Sequence, residues 1–210
     1  MSADSDKIIS RTGATLDADP ASVTNAIAAM IASFEGGGTL LICGNGGSAA
    51  DADHIAGEML KGFCLPRALN GDQRAAFADD ADSQYMAETL QNGLPTIALT
   101  AQGAAASAIA NDLGGDLIFA QQLWAYGKPG DVLLAITTSG NSRNVCLAAK
   151  AARAKGITVI GLTGETGGAL LPLTDICIRV PSQDVATIQE RHLPIYHHLC
   201  TEVEAHFFAN

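Results

Sequence analysis

Five short apolar runs, each bounded by Gly, Pro, Asp or Asn, punctuate the chain: Thr39–Cys43, Pro95–Thr100, Asp131–Thr137, Ile157–Thr163 and Asp175–Val180. They are too short for helices and lack the alternation of a strand wetted on one side, so they read as strands mostly buried on both faces. Helix-length segments separate them: Ser48–Lys61, Asp82–Gln91, Gly114–Gly127, Asn141–Lys155 and a last one from Val185 to about Phe208. Such alternation predicts an α/β fold, with a parallel sheet covered by helices on both sides. Ahead of the first strand, Val23, Ile27, Met30, Ile31 and Phe34 fall at three- and four-residue steps. They predict an amphipathic helix over about 21–34, stopped by Gly36-Gly37-Gly38.

Composition narrows the function classes. With 12 Lys+Arg against 22 Asp+Glu, the formal charge of −10 argues against a nucleic-acid backbone as partner. A chain of 210 residues with 48% hydrophobic residues can bury the core of one large domain, 1–210, and is not dominated by disorder. Charged residues make up only 16%, so little polar surface is left over and contacts between subunits are expected. The five cysteines (Cys43, Cys64, Cys146, Cys177, Cys200) lack CxxC spacing and their count is odd, which fits a reduced, cytoplasmic setting. Residues 1–20 contain no apolar core of signal-peptide length, and no run reaches the roughly 18 apolar residues of a membrane span. The expectation is a soluble protein with no membrane partner.

Two stretches fit a minimal alternating plan poorly. Residues 63–94 are long for a helix-to-strand connection and carry Asp72-Gln73-Arg74 and Asp79-Asp80-Ala81-Asp82, which suit either a functional flap or an extra surface helix, the latter being the simpler reading. Pro194 falls inside the last helix, where it removes a backbone hydrogen bond and is expected to kink the axis.

The chemistry gathers at strand ends. The first strand runs through Gly44-Asn45-Gly46-Gly47-Ser48 into a helix, so backbone N–H groups and the helix dipole can meet an anion such as phosphate. The pattern is neither GxGxxG nor a Walker A motif. A strand-helix turn with Ser48 as plain N-cap is the alternative. The third strand ends in Thr137-Thr138-Ser139-Gly140-Asn141-Ser142, again opening a helix. Four hydroxyls in six residues exceed what capping needs and can surround one phosphate group. Neither loop carries Arg or Lys, which suits a sugar phosphate that binds and leaves quickly.

On the helix after the first loop, His54 and Glu58 are four apart and share a face. They can form a proton-transfer pair, two metal ligands or a surface hydrogen bond. On the last helix, Gln189 and His197 are eight apart, close to two turns, and can address one site. His192 and His198 are equally open to solvated or capping roles.

Taken together, Cys43-Gly-Asn-Gly-Gly-Ser48, His54, Glu58, Asn111-Asp112, Gly130–Ile136, Ser139-Gly-Asn-Ser142, Leu162-Thr-Gly164 and Ile188-Gln-Glu-Arg-His192 make the chain resemble the sugar isomerase (SIS) domain family, most closely its phosphoheptose isomerase branch. The likeness runs from about residue 21 to the C-terminus, interrupted by 63–94. It implies a three-layer αβα sandwich with a five-stranded parallel sheet of the flavodoxin-like, nucleotide-binding type, assembled as a homotetramer with shared active sites. It implies conversion of sedoheptulose 7-phosphate to D-glycero-D-manno-heptose 7-phosphate through an enediol. Phosphate then falls on Ser48, Thr137, Ser139 and Ser142, beside Gly46, Gly47 and Thr138, with Asn45 near sugar hydroxyls and Gln189 also at the substrate. Glu58 becomes the base and His197 the opposing acid/base. In relatives the positions of His54, Glu58, Gln189 and His197 can gather zinc, and this donor set suits Zn²⁺.

The sequence also departs from the family pattern. Ala49-Ala50 after Ser48, and Ala108-Ile-Ala-Asn-Asp112, resemble instead the branch that binds the replication initiator DnaA. Thr100-Ala101 stands where heptose isomerases usually have a substrate-touching Asp, and Thr187 where an Arg commonly precedes Ile-Gln-Glu. Two alternatives therefore accompany the heptose reading: an isomerase of another ketose phosphate, and a non-catalytic sugar-phosphate sensor or DnaA-binding regulator on the same fold.

Overall fold

Five strands form one parallel sheet in the order β2-β1-β3-β4-β5. A computed structural model of the chain describes residues 16–209, and the polar lead-in over 1–15 lies outside them. The strands are β1 (Leu40–Cys43), β2 (Thr96–Ala98), β3 (Val132–Thr137), β4 (Thr158–Thr163) and β5 (Ile176–Arg179). The helices are α1 (Pro20–Glu35), α2 (Gly47–Leu60), α3 (Gly71–Ala75), α4 (Ala81–Thr89), α5 (Gly103–Asp112), α6 (Ile118–Tyr126), α7 (Arg143–Ala154) and α8 (Val185–Phe208). Leu40 of β1 registers with Thr96 on one side and Val132 on the other, so the central strand is paired along both edges.

Side chains alternate across a strand, and that alternation builds two cores from one sheet. Leu40, Ile42, Leu134, Ile136, Ile160 and Leu162 face α1, α2 and α8, where they meet Met30, Met59, Tyr196 and Leu199. Leu41, Cys43, Leu133, Ala135 and Val159 face the other way, against Phe119 and Leu123 of α6 and Val145 and Ala149 of α7. The arrangement is the three-layer αβα sandwich expected from the sequence. Fully burying each large apolar side chain contributes about 1.5–3 kcal/mol, and the uninterrupted burial of β1 and β3 explains their unbroken apolar runs.

Several boundaries and elements differ from the sequence reading. Residues Pro95, Leu99 and Thr100 fall outside β2, and β5 is half-exposed rather than buried on both faces because it closes the sheet edge. The segment expected as one helix over 114–127 is a 3-10 turn at Gly115–Leu117 followed by α6. Helix α5 is not anticipated by the sequence pattern: its Ala-rich run has high helix propensity but buries no residue, so it lacks the apolar stripe that reveals a helix. Pro194 does not end α8, which continues on both sides of it.

The excursion over 63–94 holds α3 and α4, neither with a buried residue. Its neck is closed by Asn92 N–H donating to the Arg67 carbonyl (2.7 Å), Leu94 N–H to the Met59 carbonyl (2.9 Å) and an antiparallel bridge between Ala68 and Gln91. Below the neck, Glu204 of α8 is fully buried and accepts from the backbone N–H groups of Phe63 (2.7 Å), Cys64 (2.7 Å) and Leu65 (3.1 Å) and from Arg67 Nε (3.0 Å). The other guanidinium nitrogens of Arg67 donate to the Met59 (2.6 Å) and Glu58 (3.0 Å) carbonyls at the end of α2. A paired, fully hydrogen-bonded charge is the form in which burial is tolerated.

Candidate active site

Both hydroxyl- and glycine-rich loops lie at the carboxyl ends of neighbouring strands, β1 and β3, where the strand order reverses direction. Open α/β sheets bind ligands at such a switch point, because loops there diverge to opposite faces and leave a crevice. The first loop enters α2 through Gly46, which takes a left-handed φ of 56° and is the helix N-cap. Ser48 is therefore not the N-cap. It sits one residue inside the helix, buried, with no capping hydrogen bond in the first turn. At Gly47, a Cβ would come within 2.5 Å of Gln189 Nε2, so the end of the Gln189 side chain rests directly on this glycine.

In the second loop, the Thr137 and Ser142 hydroxyls are 3.0 Å apart, and Ser139 Oγ accepts from the Asn141 backbone N–H at 3.1 Å. Ser142 is the N-cap of α7, but its hydroxyl turns to Thr137 instead of capping. The two loops are tied to each other by Asn45 and Asn144, whose amides exchange hydrogen bonds of 2.9 and 2.8 Å. Thr138, Ser139 and Asn141 line a cleft of about 210 Å³ closed on its other side by Glu165, Ser182 and Gln183.

Helices α2 and α8 pack side by side and run in the same direction, with Gln189 at Gly47, Tyr196 and His197 at His54, and Glu204 below the end of α2. His54 Nε2 is 3.1 Å from Glu58 Oε1, and Lys61 Nζ donates to Glu58 Oε2 at 3.1 Å. The His197 ring stands edge-on to that of His54, centroids 5.1 Å apart, and leans on Phe63 at 5.3 Å. Burial, then the nearby His54, hold the His197 imidazole below its ordinary pKa, while Glu58 pulls the other way. Its Nε2 is buried without a hydrogen-bond partner among the described residues.

The structure thus brings His54, Glu58 and His197 together but leaves Gln189 apart, two turns or about 12 Å along α8. The donor types suit Zn²⁺, and the unpartnered Nε2 of His197 suits a ligand role. As they stand, no three His, Cys, Asp or Glu side chains among the described residues are spaced to hold a metal ion.

Four neighbours escaped the sequence reading. Asn144 ties the loops, Tyr196 contacts His54, Asp51 lies beside Tyr196, and Arg67 braces the carbonyl of Glu58. Only Asp51, three residues before His54 on the same helix, carried a local signal in its spacing. His192, which the sequence left open, is fully buried, and burial pushes its pKa down to about 4, with the Thr163 backbone pulling the other way.

The comparisons with known proteins point the same way as this geometry. The SIS domain family model matches residues 5–92 and 81–164. The phosphoheptose isomerase of Rhodospirillum rubrum is 43% identical over 188 residues, covering 90% of this chain and 87% of the relative. The chain belongs to the phosphoheptose isomerase family of SIS-domain proteins. Two solved phosphoheptose isomerases share its fold: that of Neisseria gonorrhoeae at 36% identity and a TM-score of 0.72, over 88% of this chain and 86% of its own, and that of Francisella tularensis at 37% and 0.73, over 88% and 85%. The likeness to these two structures thus extends well beyond the loops, over 88% of this chain.

Proposed function

We propose that this protein is an aldose-ketose isomerase that converts sedoheptulose 7-phosphate to D-glycero-D-manno-heptose 7-phosphate through an enediol. The observation that carries the reading is the meeting of Glu58 and His197 through His54 on the adjacent helices α2 and α8, with α2 itself starting from one of the two phosphate-type loops at the switch point. The substrate phosphate is held by Ser48, Thr137, Thr138, Ser139, Ser142 and the Gly46-Gly47 amides, and Asn45 meets sugar hydroxyls. Glu58 removes the proton from the carbon beside the carbonyl, and His197 exchanges protons with the substrate from the other side. A His197 held below its ordinary pKa stays neutral to lower pH and so can accept a proton there. His54, Glu58, Gln189 and His197 would hold a zinc ion, which when bound would polarise the carbonyl oxygen and favour the enediolate. Gln189 must leave Gly47 to join that set.

We further infer one SIS domain spanning the chain, a homotetramer and a cytoplasmic location. The exposed Tyr85 and Trp124 and the unburied α5 support contacts between copies, and the free cysteines support a reducing compartment. Among the described residues no helix is long and apolar enough to cross a membrane.

The test is an isomerase assay on purified protein with sedoheptulose 7-phosphate, with and without added Zn²⁺, with Glu58→Gln as control and product followed by NMR. Turnover that requires Glu58 is the expected result. Absence of turnover, with phosphate ligands still raising Tm, would replace this reading by another ketose phosphate or by the sensor role.

A further inference from the structure

Glu58 rides on the last turn of α2, which ends two residues later at Leu60. The final four carbonyls of a helix have no partner within it, so a helix end frays unless something outside caps it. Here the C-cap residue Lys61 is extended (φ −144°, ψ 175°), and no basic residue lies in the last turn to meet the negative end of the dipole. Lys61 Nζ reaches the Glu58 carboxylate, but its side chain is 60% exposed, and a pair so wetted contributes little.

The cap comes from outside the helix. Arg67 Nη1 donates to the Met59 carbonyl (2.6 Å) and Nη2 to the Glu58 carbonyl (3.0 Å), while Nε donates to Glu204 (3.0 Å). The Phe208 ring covers the guanidinium at 4.7 Å. All three nitrogens are thus committed, two to the end of α2 and one to α8. Glu204 stands seven residues, close to two turns, after His197 on the same face of α8. Its carboxylate also accepts from the Phe63 N–H at 2.7 Å, and the Phe63 ring leans back on His197 with centroids 5.3 Å apart.

Both charged side chains are 0% exposed. A buried ion pair stabilises little more than well-packed apolar residues of the same volume, and its best-attested use is to fix register. We propose that Arg67 and Glu204 are positioning residues for the reaction: their buried pair locks the last turn of α2 against α8 and so holds Glu58 in register with His197. The effect on turnover rests on the isomerase reading; the anchoring of the helix end does not.

Arg67→Lys separates this from a merely structural role. Lysine keeps the charge opposite Glu204, but a single ammonium cannot serve the carboxylate and both carbonyls in the geometry of the guanidinium fork. The folded variant is expected to lose about 10- to 100-fold in kcat, the cost of misplacing a reacting group by about 1 Å. KM should change less than about threefold, because the phosphate loop enters α2 at its opposite end. Leu123→Ala, which truncates the core on the other face of the sheet, is the control: it should lower Tm and leave kcat of the folded protein within about twofold of wild type. Full kcat in Arg67→Lys, a loss carried by KM, or an equal loss of kcat in Leu123→Ala would overturn the proposal. Native-state hydrogen exchange on the wild type covers the case in which Arg67→Lys does not fold. The Glu58, Met59 and Leu60 amides are expected to exchange as slowly as those of β1, and exchange at the rate of a frayed end would overturn the proposal. A wild type without turnover but with a protected α2 end would sink the isomerase reading and leave the anchor standing. Turnover that survives Arg67→Lys intact would sink this proposal alone.

Discussion

Asn45 and Asn144 exchange two amide hydrogen bonds, 2.9 and 2.8 Å, between loops that leave β1 and β3 for opposite faces of the sheet. The pair sets the width of the crevice between them. Each neutral hydrogen bond contributes about 0.5–1.5 kcal/mol, so Asn144→Ala is expected to raise KM several-fold with a smaller change in kcat. A double-mutant cycle with Asn45→Ala checks it: the two losses should fall short of additive because either substitution breaks the same link. Fully additive losses would mean that the loops are held apart independently.

Ser139 is exposed at the rim of the cleft, and among the described residues its hydroxyl holds only the loop's own Asn141 N–H. Ser139→Ala should leave stability nearly unchanged and weaken phosphate binding by about 1–3 kcal/mol, the range for a lost hydrogen bond to a charged group. Steady-state KM, together with the Tm shift given by a sugar phosphate, measures this. An unchanged KM removes Ser139 from the phosphate site.

The Arg67–Glu204 pair is 0% exposed on both sides. Removing one partner leaves an uncompensated buried charge, so Arg67→Met is expected to cost about 3–5 kcal/mol in urea melts. Glu204→Gln should also destabilise, because one amide group must replace two oxygens that accept from three backbone N–H groups. Loss below about 1 kcal/mol in both variants would show that the neck holds without them.

His192 supplies a pH dependence of known sign. Its folded pKa of about 4 lies below the ordinary 6.5, so the unfolded chain binds the extra proton first as pH falls. Its contribution is complete above pH ~6.5, declines between ~6.5 and ~4, and is spent below that, about 3 kcal/mol at most. Stability of wild type and His192→Gln, measured by urea melts from pH 7.5 to 4, should differ in slope within that window. Parallel curves would contradict it.

The strands were legible because burial on both faces leaves nothing polar in the run, as in Val132–Thr137. The two loops were legible because glycines and clustered hydroxyls have few reasons to occur together. What stayed hidden depends on which helix lies against which. Nothing near Tyr196 in the chain shows that it will meet Asp51 and His54, because that contact exists only once α2 and α8 pack in parallel. Glu204 likewise reads as a surface acid in an ordinary helix until α8 is placed under the end of α2. Helix α5 stayed hidden for the opposite reason, since it packs on too little to leave a pattern.

Because the stretch between Ala68 and Gln91 leaves and rejoins the sandwich through one hydrogen-bonded neck, it can be treated as a removable graft. Sequence beyond the Ala68–Gln91 bridge is free to drift, lengthen or be exchanged for a foreign hairpin while Arg67 continues to brace the helix that bears Glu58. The same fold can thus acquire a new surface without redesigning its chemistry.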